Sequence, residues 1–349
     1  MRVMITGGTG FIGYHSAVAL LDAGHEVRLL VRSVDKMRTL YGDRITDYVV
    51  GDIGEQAAIE RALDGCDAVL HSAAMVSTDA RDAARVYATN VNGTRLVIGG
   101  AAARGIRAIH VSSVTALYDP DADSLSESSP VGTAENAYGC SKVACERFVR
   151  ELQAAGAPVY VTYPASVIGP DSPTLTEPHE GIVIYLQRVV PGIVSGTQFV
   201  DVRDVALAHR QLLENPALPA GGYPLGGHYL PWQGLADRVE RLTGIGKLRV
   251  PVPAPLLRLI GRLADLLKHF VSFDFPLSHE GTVYATNWKL LDNAKLEREL
   301  GFRFRDLDGS LIDTLRWLGQ AGHVRPALLG KLGAPRPAPA PAAEPVSEG

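Results

Sequence analysis

The sequence predicts an α/β fold: a doubly wound parallel sheet with a smaller C-terminal lobe. Three observations predict it. A glycine-rich turn follows the first apolar run, short apolar runs then alternate with longer helical patterns, and this rhythm is lost from Gly169 onwards. Strands that are separated by helices pair in parallel through right-handed crossovers, so helices are expected on both faces of the sheet.

The elements of the first half follow in order from their apolar periodicity. The expected strands are Val3–Thr6, Glu26–Arg32, Asp47–Gly51, Ala68–His71, Ala108–Ser112 and Val159–Tyr163. The expected helices are Phe11–Ala23, Ala57–Leu63, Asp82–Ala103 and Ala137–Ala155. In the second half two helices are clear, Gly234–Thr243 and Ala294–Leu300, because a glycine follows each of them.

The opening turn, TGGTGFIG, places Gly7, Gly10 and Gly13 between the first strand and the first helix. Gly7 allows the sharp turn, Gly10 leaves room for a phosphate at the helix N-terminus, and Gly13 lets the helix approach the strand. The helix N–H groups and dipole would then hold a pyrophosphate. The pattern predicts a dinucleotide site, although a tight glycine turn without a ligand has the same spacing.

The end of the second strand selects between the two nicotinamide dinucleotides. A carboxylate at this place binds the ribose hydroxyls of NAD, whereas this sequence has Arg32, Ser33 and Lys36. A guanidinium beside a hydroxyl suits a 2′-phosphate. We therefore predict NADP as the cofactor, with NAD as the alternative, because Arg32 could also be a solvated surface charge near Asp35.

Two further segments predict catalytic side chains. In NAYGCSKVACERF, Tyr138 and Lys142 lie four residues apart on one helix face, where the ammonium would stabilise the phenolate. In IHVSSVTALYD, Ser112 and Ser113 end the fifth strand, at the edge of a parallel sheet where ligands bind. A serine there would bind the substrate oxygen and stabilise developing charge.

These segments occur together with GDI at Gly51–Ile53, HSAA at His71–Ala74, YATNVNGTRLV at Tyr87–Val97, YPASVIGP and FVDVRDVALAH. In this combination the chain resembles the extended short-chain dehydrogenase/reductase family, also called the NAD-dependent epimerase/dehydratase family. The resemblance runs from about Arg2 to Leu318. It implies a Rossmann domain with a small C-terminal substrate lobe, and a homodimer that pairs through two helices.

The resemblance also implies roles for single residues. Tyr138 would be the acid–base, Lys142 its partner, Ser113 the substrate-oxygen donor with Thr115 as the alternative, and Asn90 the active-site asparagine. Asp52 and Ile53 would flank the adenine, Ala73 and Ala74 would line the cofactor groove, and Pro164 and Ser166 the nicotinamide pocket. The full set of expected cofactor contacts is Gly7, Gly10, Phe11, Ile12, Gly13, Arg32, Lys36, Asp52, Ile53, Ala73, Ala74, Tyr138, Lys142, Pro164 and Ser166.

Two departures from the family pattern narrow the activity. Members that bind sugar nucleotides carry an Asn where this chain has Ser166, and dehydratases carry an Asp-Glu pair where it has Val114-Thr115. The pattern is more similar to the dihydroflavonol-reductase-like and hydroxysteroid-dehydrogenase-like branches. We therefore predict an NADP-preferring oxidoreductase acting on a carbonyl or alcohol of low polarity. The alternatives are a nucleotide-sugar epimerase and a catalytically silent NADP-binding sensor.

We divide the chain into three parts. Residues 1–168 are expected to form the dinucleotide-binding domain, to which parts of 195–230 return, and residues 169–325 mainly form the substrate-binding lobe. Residues 326–349, which are rich in Pro and Ala, are expected to be a disordered tail.

One apolar segment of the lobe, PAPLLRLIGRLADLLKHFVSF, has three interpretations. Its large apolar residues share one helical face, with basic residues off that face. The face comprises Leu256, Leu259, Ile260, Leu263, Leu266, Leu267 and Phe270. Packing in the core is the favoured interpretation, and a substrate lid is the second. Contact with a membrane surface through 255–273 is the third and is not favoured.

Composition narrows the function classes further. The net charge is −4 and the basic residues are scattered, so nucleic acid is not an expected partner. Three irregularly spaced cysteines fit a reducing compartment, which predicts a cytoplasmic protein. The ten histidines show no metal-ligand spacing, so no metal site is expected.

Overall fold

The computed structural model describes residues 1–77, 80–187, 190–268 and 279–333. Their strands are β1 (Arg2–Thr6), β2 (Glu26–Val31), β3 (Tyr48–Val50), β4 (Ala68–His71), β5 (Arg107–Val111), β6 (Ser124–Leu125), β7 (Val159–Pro164), β8 (Ser166–Ile168), β9 (Val190–Gly192), β10 (Gly196–Asp201), β11 (Gly221–Leu225), β12 (His228–Pro231), β13 (Arg249–Pro251) and β14 (Leu290–Leu291).

The α-helices of the same residues are α1 (Phe11–Asp22), α2 (Val34–Tyr41), α3 (Gln56–Leu63), α4 (Ala83–Ala103), α5 (Ala137–Ala154), α6 (Glu177–Gln187), α7 (Val202–Glu214), α8 (Trp232–Thr243), α9 (Ala254–Lys268), α10 (His279–Thr286), α11 (Ala294–Leu300) and α12 (Leu307–Gln320). Short 3-10 helices cover Gly42–Arg44, Ala80–Asp82, Val114–Leu117 and Pro326–Leu332.

A parallel sheet organises the first half. Within the described residues it has seven strands in the order β11-β7-β5-β4-β1-β2-β3, and every neighbouring pair is parallel. The chain winds outward from β1 to β3 and then crosses back to β4, so the order reverses beside β1. Ligands of such sheets bind outside the carboxyl ends of the strands at this reversal. The predicted α/β class is confirmed.

The central strand β1 is buried on both of its faces. Val3 and Ile5 belong to the apolar cluster that includes residues of α1 and α7, whereas Met4 belongs to the cluster on the side of α3, α4 and α5. All three side chains have no exposed surface. Because successive strand residues point to opposite faces, both faces of the sheet are covered by helices.

The second half of the chain forms a separate small lobe and also adds elements to the large sheet. β8, β10 and β12 form a separate sheet, over which an apolar cluster joins residues of α6, α8 and α12. In contrast, α7 packs against α1, and β11 pairs with β7 at the edge of the large sheet. The two glycine-closed helices are present: Gly244 and Gly301 follow α8 and α11 in the left-handed conformation.

One expectation about local structure is wrong, and one helix was not predicted. The tail does not begin at Pro326, because Pro326–Leu332 is helical and Leu329 is 1% exposed, packed in the cluster with Leu315 and Leu318. The remainder of the expected tail, 334–349, lies outside the described residues. Helix α2 was not expected; it begins where the Ser33 hydroxyl accepts a hydrogen bond from the Lys36 N–H.

Helix α9 leaves four leucines of the expected face outside the core, so the interpretation that this face packs in the core is wrong. The helix meets α10 through a narrower stripe, on which Leu257, Gly261 and Ala264 are buried. Four leucines of the expected face are instead about half exposed: Leu256, Leu259, Leu263 and Leu266. Residues 269–273, which include Phe270, lie outside the described residues. Among those that are described, none of the helices combines the length and apolar character needed to span a membrane.

Candidate active site

The turn between β1 and α1 has the backbone that only glycine tolerates at two places. Gly7 has a φ of 72°, and a Cβ there would lie 2.6 Å from the Ala73 nitrogen. A Cβ on Gly13 would lie 2.2 Å from the Gly7 oxygen. The turn is closed by the Gly10 N–H, which donates to that same oxygen at 2.9 Å. Gly7 and Gly13 are therefore required by the fold itself.

Gly10 differs, because the space beside it is open. A Cβ on Gly10 would meet only the Gly7 oxygen within 4 Å, at 3.3 Å. Gly10 caps α1 without a side-chain hydrogen bond, and the first turn of α1 has no acidic residue. The first N–H groups of a helix have no acceptor within it, so those at Phe11, Ile12 and Gly13 face this space with the positive end of the helix dipole. The turn fits a pyrophosphate.

The Phe11 side chain packs against the C-terminal lobe. Its ring is buried and lies 5.0 Å from the imidazole of His179 in α6, while His15 hydrogen-bonds the Pro170 carbonyl at 3.0 Å. Phe11 therefore joins the glycine turn to the lobe, and what it offers a ligand is its backbone N–H. The half-buried Ile12 side chain packs at the margin of the core cluster beneath the turn.

The carboxyl ends of β2 and β3 bring Arg32 and Asp52 together. The Arg32 side chain is 79% exposed, and its Nη1 lies 3.8 Å from Asp52 Oδ2. An exposed pair at this distance contributes little, so the guanidinium is available to a ligand. Lys36 is also exposed nearby in the first turn of α2. The Ile53 side chain is buried against Gly93, where a Cβ would lie 2.6 Å from Ile53 Cδ1.

The loop after β4 is held against the glycine turn. The Ala73 N–H donates to Thr6 Oγ1 at 3.3 Å, and the same hydroxyl contacts His71 Nδ1 at 2.7 Å. The other nitrogen of His71 lies 3.2 Å from Thr94 Oγ1. This buried chain of hydrogen bonds fixes the start of the loop, in which Ala74 is exposed. Sequence reasoning missed Thr6 and Thr94, although Thr6 is the polar last residue of an apolar strand.

Lys142 is the centre of the site. It is 4% exposed, and its ammonium donates to the Val111 carbonyl at 3.1 Å, at the end of β5. Nζ lies 5.6 Å from the centre of the Tyr138 ring, within the range of a cation–π contact. The two residues share a helix face because α5 begins at Ala137 with Asn136 as its cap. The predicted spacing thus places the ammonium beside the phenol.

The Tyr138 side chain is half-buried in the first turn of α5. Among the described residues its hydroxyl has no hydrogen-bond partner, which leaves it available to a substrate.

Two buried histidines, His71 and His110, lie near Lys142, and their ring centres are 5.6 Å apart. Burial and the Lys142 charge lower the pKa of His71 to about 3 and that of His110 well below its usual value. Both imidazoles are therefore neutral and do not compete with Lys142 as cations.

The two candidate hydroxyls at the end of β5 touch each other. Ser113 Oγ donates to Thr115 Oγ1 at 3.1 Å and accepts a hydrogen bond from the Thr115 N–H at 3.2 Å. Ser113 caps the short helix Val114–Leu117, which packs against α5. Ser113 is half-buried and Thr115 is 8% exposed. The more accessible oxygen is that of Ser113.

Asn90 connects two segments of the site through buried hydrogen bonds. Its amide donates to the Met75 carbonyl at 3.0 Å and to Ser141 Oγ at 2.9 Å, and its oxygen accepts from the Met75 N–H at 2.7 Å. Ser141 in turn donates to the Tyr138 carbonyl at 2.6 Å. With 3% of its surface exposed, Asn90 ties the loop after β4 to the helix of Tyr138, and its role as the active-site asparagine stays a prediction. Ser141 was missed because nothing in its spacing indicates this bond.

The remaining expected contacts follow β7. Pro164 is buried at its end, and Ser166 is half-buried in β8, with its hydroxyl 3.0 Å from Thr197 Oγ1.

Across the sheet, the expected residues follow the ends of adjacent strands from β3 to β7. Three strand spacings separate β2 from β5, about 14 Å. That span suits a dinucleotide with its adenine half at Arg32 and its reactive ring near Lys142. Among the described residues, no His, Cys, Asp or Glu side chains group in threes as metal ligands.

The parallel sheet with its glycine turn defines a Rossmann fold. The model of the NAD dependent epimerase/dehydratase family matches residues 3–225, so the chain belongs to that family and is an NAD(P)-dependent enzyme. It is 30% identical over 329 residues to a Synechocystis protein provisionally named a dihydroflavonol 4-reductase, covering 92% of this chain and 95% of the relative.

Two further likenesses extend over more than nine-tenths of this chain. Cinnamoyl-CoA reductase 1 from Arabidopsis thaliana is 29% identical over 343 residues, 93% of this chain and 91% of the relative. The crystal structure of UDP-glucose-4-epimerase from Stenotrophomonas maltophila, with bound NAD and formylated UDP-arabinopyranose, superposes with a TM-score of 0.71 at 22% identity. It covers 93% of this chain and 99% of that structure, and this likeness shows the fold.

Proposed function

We propose that the protein is an NADP-preferring reductase or dehydrogenase, which transfers a hydride between the nicotinamide ring and a carbonyl or alcohol carbon of a substrate of low polarity. The observation that carries the proposal is the position of the Lys142 ammonium. It is buried, anchored on the Val111 carbonyl and 5.6 Å from the centre of the Tyr138 ring. A cation beside a phenol stabilises the phenolate, which a catalytic tyrosine needs at neutral pH.

Each residue then has a separate task. Tyr138 gives a proton to the substrate oxygen in reduction and takes it back in oxidation. Ser113 donates a hydrogen bond to the same oxygen. The hydrogen bond that Ser113 Oγ now donates to Thr115 Oγ1 then changes direction, so that Thr115 Oγ1 donates to Ser113 Oγ. Lys142 supports the phenolate. The nicotinamide supplies the hydride when bound, and the protein contributes its alignment with the substrate.

The cofactor preference rests on Arg32. Its guanidinium is exposed at the end of β2, and its contact with Asp52 is long, so a 2′-phosphate can displace it at small cost. An NAD-binding enzyme of this fold has a carboxylate at the end of β2, which binds the free 2′-hydroxyl. Here β2 ends with Val31, and Arg32 and Ser33 follow it, so none of these three positions has a carboxylate.

The substrate class rests on the lobe and on relatives. Ser166 stands where sugar-nucleotide enzymes of the family carry Asn, and its hydroxyl is bonded to Thr197. The relatives named as a dihydroflavonol reductase and a cinnamoyl-CoA reductase each match more than nine-tenths of this chain, lobe included. We propose that residues 169–325 supply most of the substrate contacts. A cytoplasmic location and a homodimer stay predictions from the sequence.

A substrate panel tests this proposal. The full chain is incubated with NADPH and a set of aryl and alkyl aldehydes and ketones, and consumption of NADPH is followed by absorbance. We expect turnover with one or more apolar carbonyls and slower turnover with NADH. Interconversion of UDP-sugar epimers with no net change in cofactor would instead establish the epimerase, and tight NADPH binding without turnover of any substrate class would indicate a sensor.

A further inference from the structure

A buried tyrosine joins two parts of the expected cofactor site. Tyr41, the last residue of α2, is 4% exposed, and its hydroxyl donates to the Gly8 carbonyl at 2.5 Å. Gly8 belongs to the glycine turn, whereas Lys36 is exposed in the first turn of α2. One hydrogen bond therefore connects the helix that is expected to serve the 2′-phosphate with the turn that fits a pyrophosphate.

The Gly8 peptide is packed between Tyr41 and β2. Gly8 is buried, and a Cβ there would lie 2.6 Å from Leu29 Cδ2 and 3.5 Å from the Tyr41 hydroxyl oxygen. Met37 and Tyr41, one helical turn apart, are the buried residues of α2, so the helix packs on the core through them. The hydrogen bond between Tyr41 and Gly8 is therefore held inside the packed core.

The direction of this hydrogen bond is fixed. Burial raises the pKa of the Tyr41 phenol above its ordinary value, so the hydroxyl stays protonated and donates at neutral pH. The peptide between Gly8 and Thr9 is planar and trans, so its C=O and N–H point in opposite directions. Holding the carbonyl on Tyr41 therefore also sets the direction of the Thr9 N–H. Without this donor the buried carbonyl would lose its partner, and rotation of the peptide would become favourable.

We propose that Tyr41 is a positioning residue of the cofactor site. Its hydroxyl holds the Gly8 carbonyl on the side of α2, away from the open space beside Gly10 in which the pyrophosphate is expected. A carbonyl oxygen that turned into this space would bring a partial negative charge towards the phosphates and oppose their binding at the N-terminus of α1. The proposal rests on the dinucleotide site of the proposed function, and it depends neither on the substrate nor on which dinucleotide is preferred.

Two adenosine phosphates separate the glycine turn from the expected 2′-phosphate site. Adenosine 2′,5′-bisphosphate reaches both, whereas 2′-AMP lacks the 5′-phosphate that would lie at the turn. Both are titrated calorimetrically against the full chain, as are NADPH and NADH. We expect Tyr41→Phe to bind NADPH, NADH and the bisphosphate about fivefold more weakly, the effect of one hydrogen bond, and to bind 2′-AMP as tightly as the wild type does.

Tyr14→Phe is the matched control. The Tyr14 ring lies 5.3 Å from the Tyr41 ring and packs against the same apolar cluster. Within the described segments its hydroxyl makes no hydrogen bond to the glycine turn. This variant should bind all four ligands with wild-type affinity, because it removes a hydroxyl from the same cluster and leaves the Gly8 carbonyl in place.

The ratio of the two adenosine phosphate affinities separates positioning from stability. Phe keeps the ring and its packing, so Tyr41→Phe is expected to fold, and thermal unfolding checks this. Partial unfolding would weaken the apparent affinity for both compounds by the same factor and leave the ratio unchanged.

Three outcomes are decisive. Unchanged affinity of Tyr41→Phe for NADPH, NADH and the bisphosphate would overturn the proposal. An equal loss for 2′-AMP would also overturn it, because Tyr41 would then act only as part of the core. A wild-type preference for NADH would refute the NADP assignment alone, since the NADH titration still tests the glycine turn.

Discussion

Ser113 donates a hydrogen bond to Thr115, with their hydroxyl oxygens 3.1 Å apart at the carboxyl end of β5. This contact makes the two candidate hydroxyls a connected pair. Since Ser113 is the more accessible, it is the one that can reach a substrate oxygen, and Thr115 can orient it from behind.

Removing each hydroxyl separately distinguishes these roles. We expect Ser113→Ala to lower kcat about 100-fold or more, the effect of losing one donor to a developing oxyanion. Thr115→Val should cost less, because Ser113 keeps its contact with the substrate. Steady-state kinetics on the substrate found by the panel give the comparison. A larger loss in Thr115→Val than in Ser113→Ala would make Thr115 the substrate-oxygen donor.

The glycine turn gives a second prediction, because Gly10 and Gly13 must be glycine for different physical reasons. Gly10→Ala should fold normally but bind NADPH at least tenfold more weakly, since its methyl group enters the space left for a phosphate. Gly13→Ala should fail to fold or lose several kcal/mol of stability, because the methyl group lies 2.2 Å from the Gly7 oxygen.

Gly181 in α6 provides the control for these variants. A Cβ there meets nothing within 4 Å, and the residue is helical, so Gly181→Ala should raise the free energy of unfolding by about 0.5–1 kcal/mol. Chemical denaturation and NADPH titration measure the three variants together. Unchanged NADPH affinity in Gly10→Ala would contradict a phosphate site at this turn.

How far the sequence predicts this molecule depends on whether a feature is local. Tyr138 and Lys142 share a face because a helix has a fixed period, and the strand ends follow from apolar runs, so both are visible in the sequence. The contacts of Lys142 with Val111 and of Asn90 with Met75 join distant segments. The first depends on how α5 packs against β5 and the second on how the loop after β4 folds back on α4, and neither follows from a residue spacing.

Helix α9 shows a different limit. Periodicity reports that one face is apolar, but not whether another element covers it. In this fold Gly261 and Ala264 allow α10 to approach closely on the other side, and the larger leucines are left outside. Leu329 shows the converse, because its neighbours in sequence are those of a linker, yet it fills a gap in the lobe core.

The preference for NADPH over NADH should fall when Arg32 is replaced. Arg32→Ala is expected to raise the KM for NADPH roughly tenfold or more and to leave that for NADH nearly unchanged, because a charge-assisted contact to the 2′-phosphate is lost. Arg38→Ala, which removes another exposed arginine from α2, should alter neither value. Equal effects of Arg32→Ala on the two cofactors would show that Arg32 does not read the 2′-phosphate.

Stability should fall in mild acid because buried histidines are held neutral. Burial lowers the pKa of His71 to about 3, of His179 to about 4 and of His209 to about 3. Below the usual histidine pKa of about 6.5 the unfolded chain takes up protons that the folded chain does not, so each histidine costs up to about 1.4 kcal/mol per pH unit between about 6.5 and 4.

Chemical denaturation at about pH 7 and about pH 5 measures this effect. His209 bonds Ser16 and Thr162 through its two nitrogens, at 2.9 Å each. His209→Gln should reduce the pH slope by one histidine's share, whatever it does to the stability at neutral pH. A free energy of unfolding that is the same at both pH values would contradict the assignment of these residues as neutral.

The most direct measurement of the central claim is the rate of hydride transfer in Tyr138→Phe under single-turnover conditions with saturating NADPH. With Lys142 and Ser113 intact, we expect the rate to fall about 100- to 10,000-fold while NADPH still binds, because the proton donor alone is removed. Tyr87→Phe, at an exposed tyrosine of α4, should transfer hydride at the wild-type rate. Hydride transfer in Tyr138→Phe as fast as in the wild type would contradict the account.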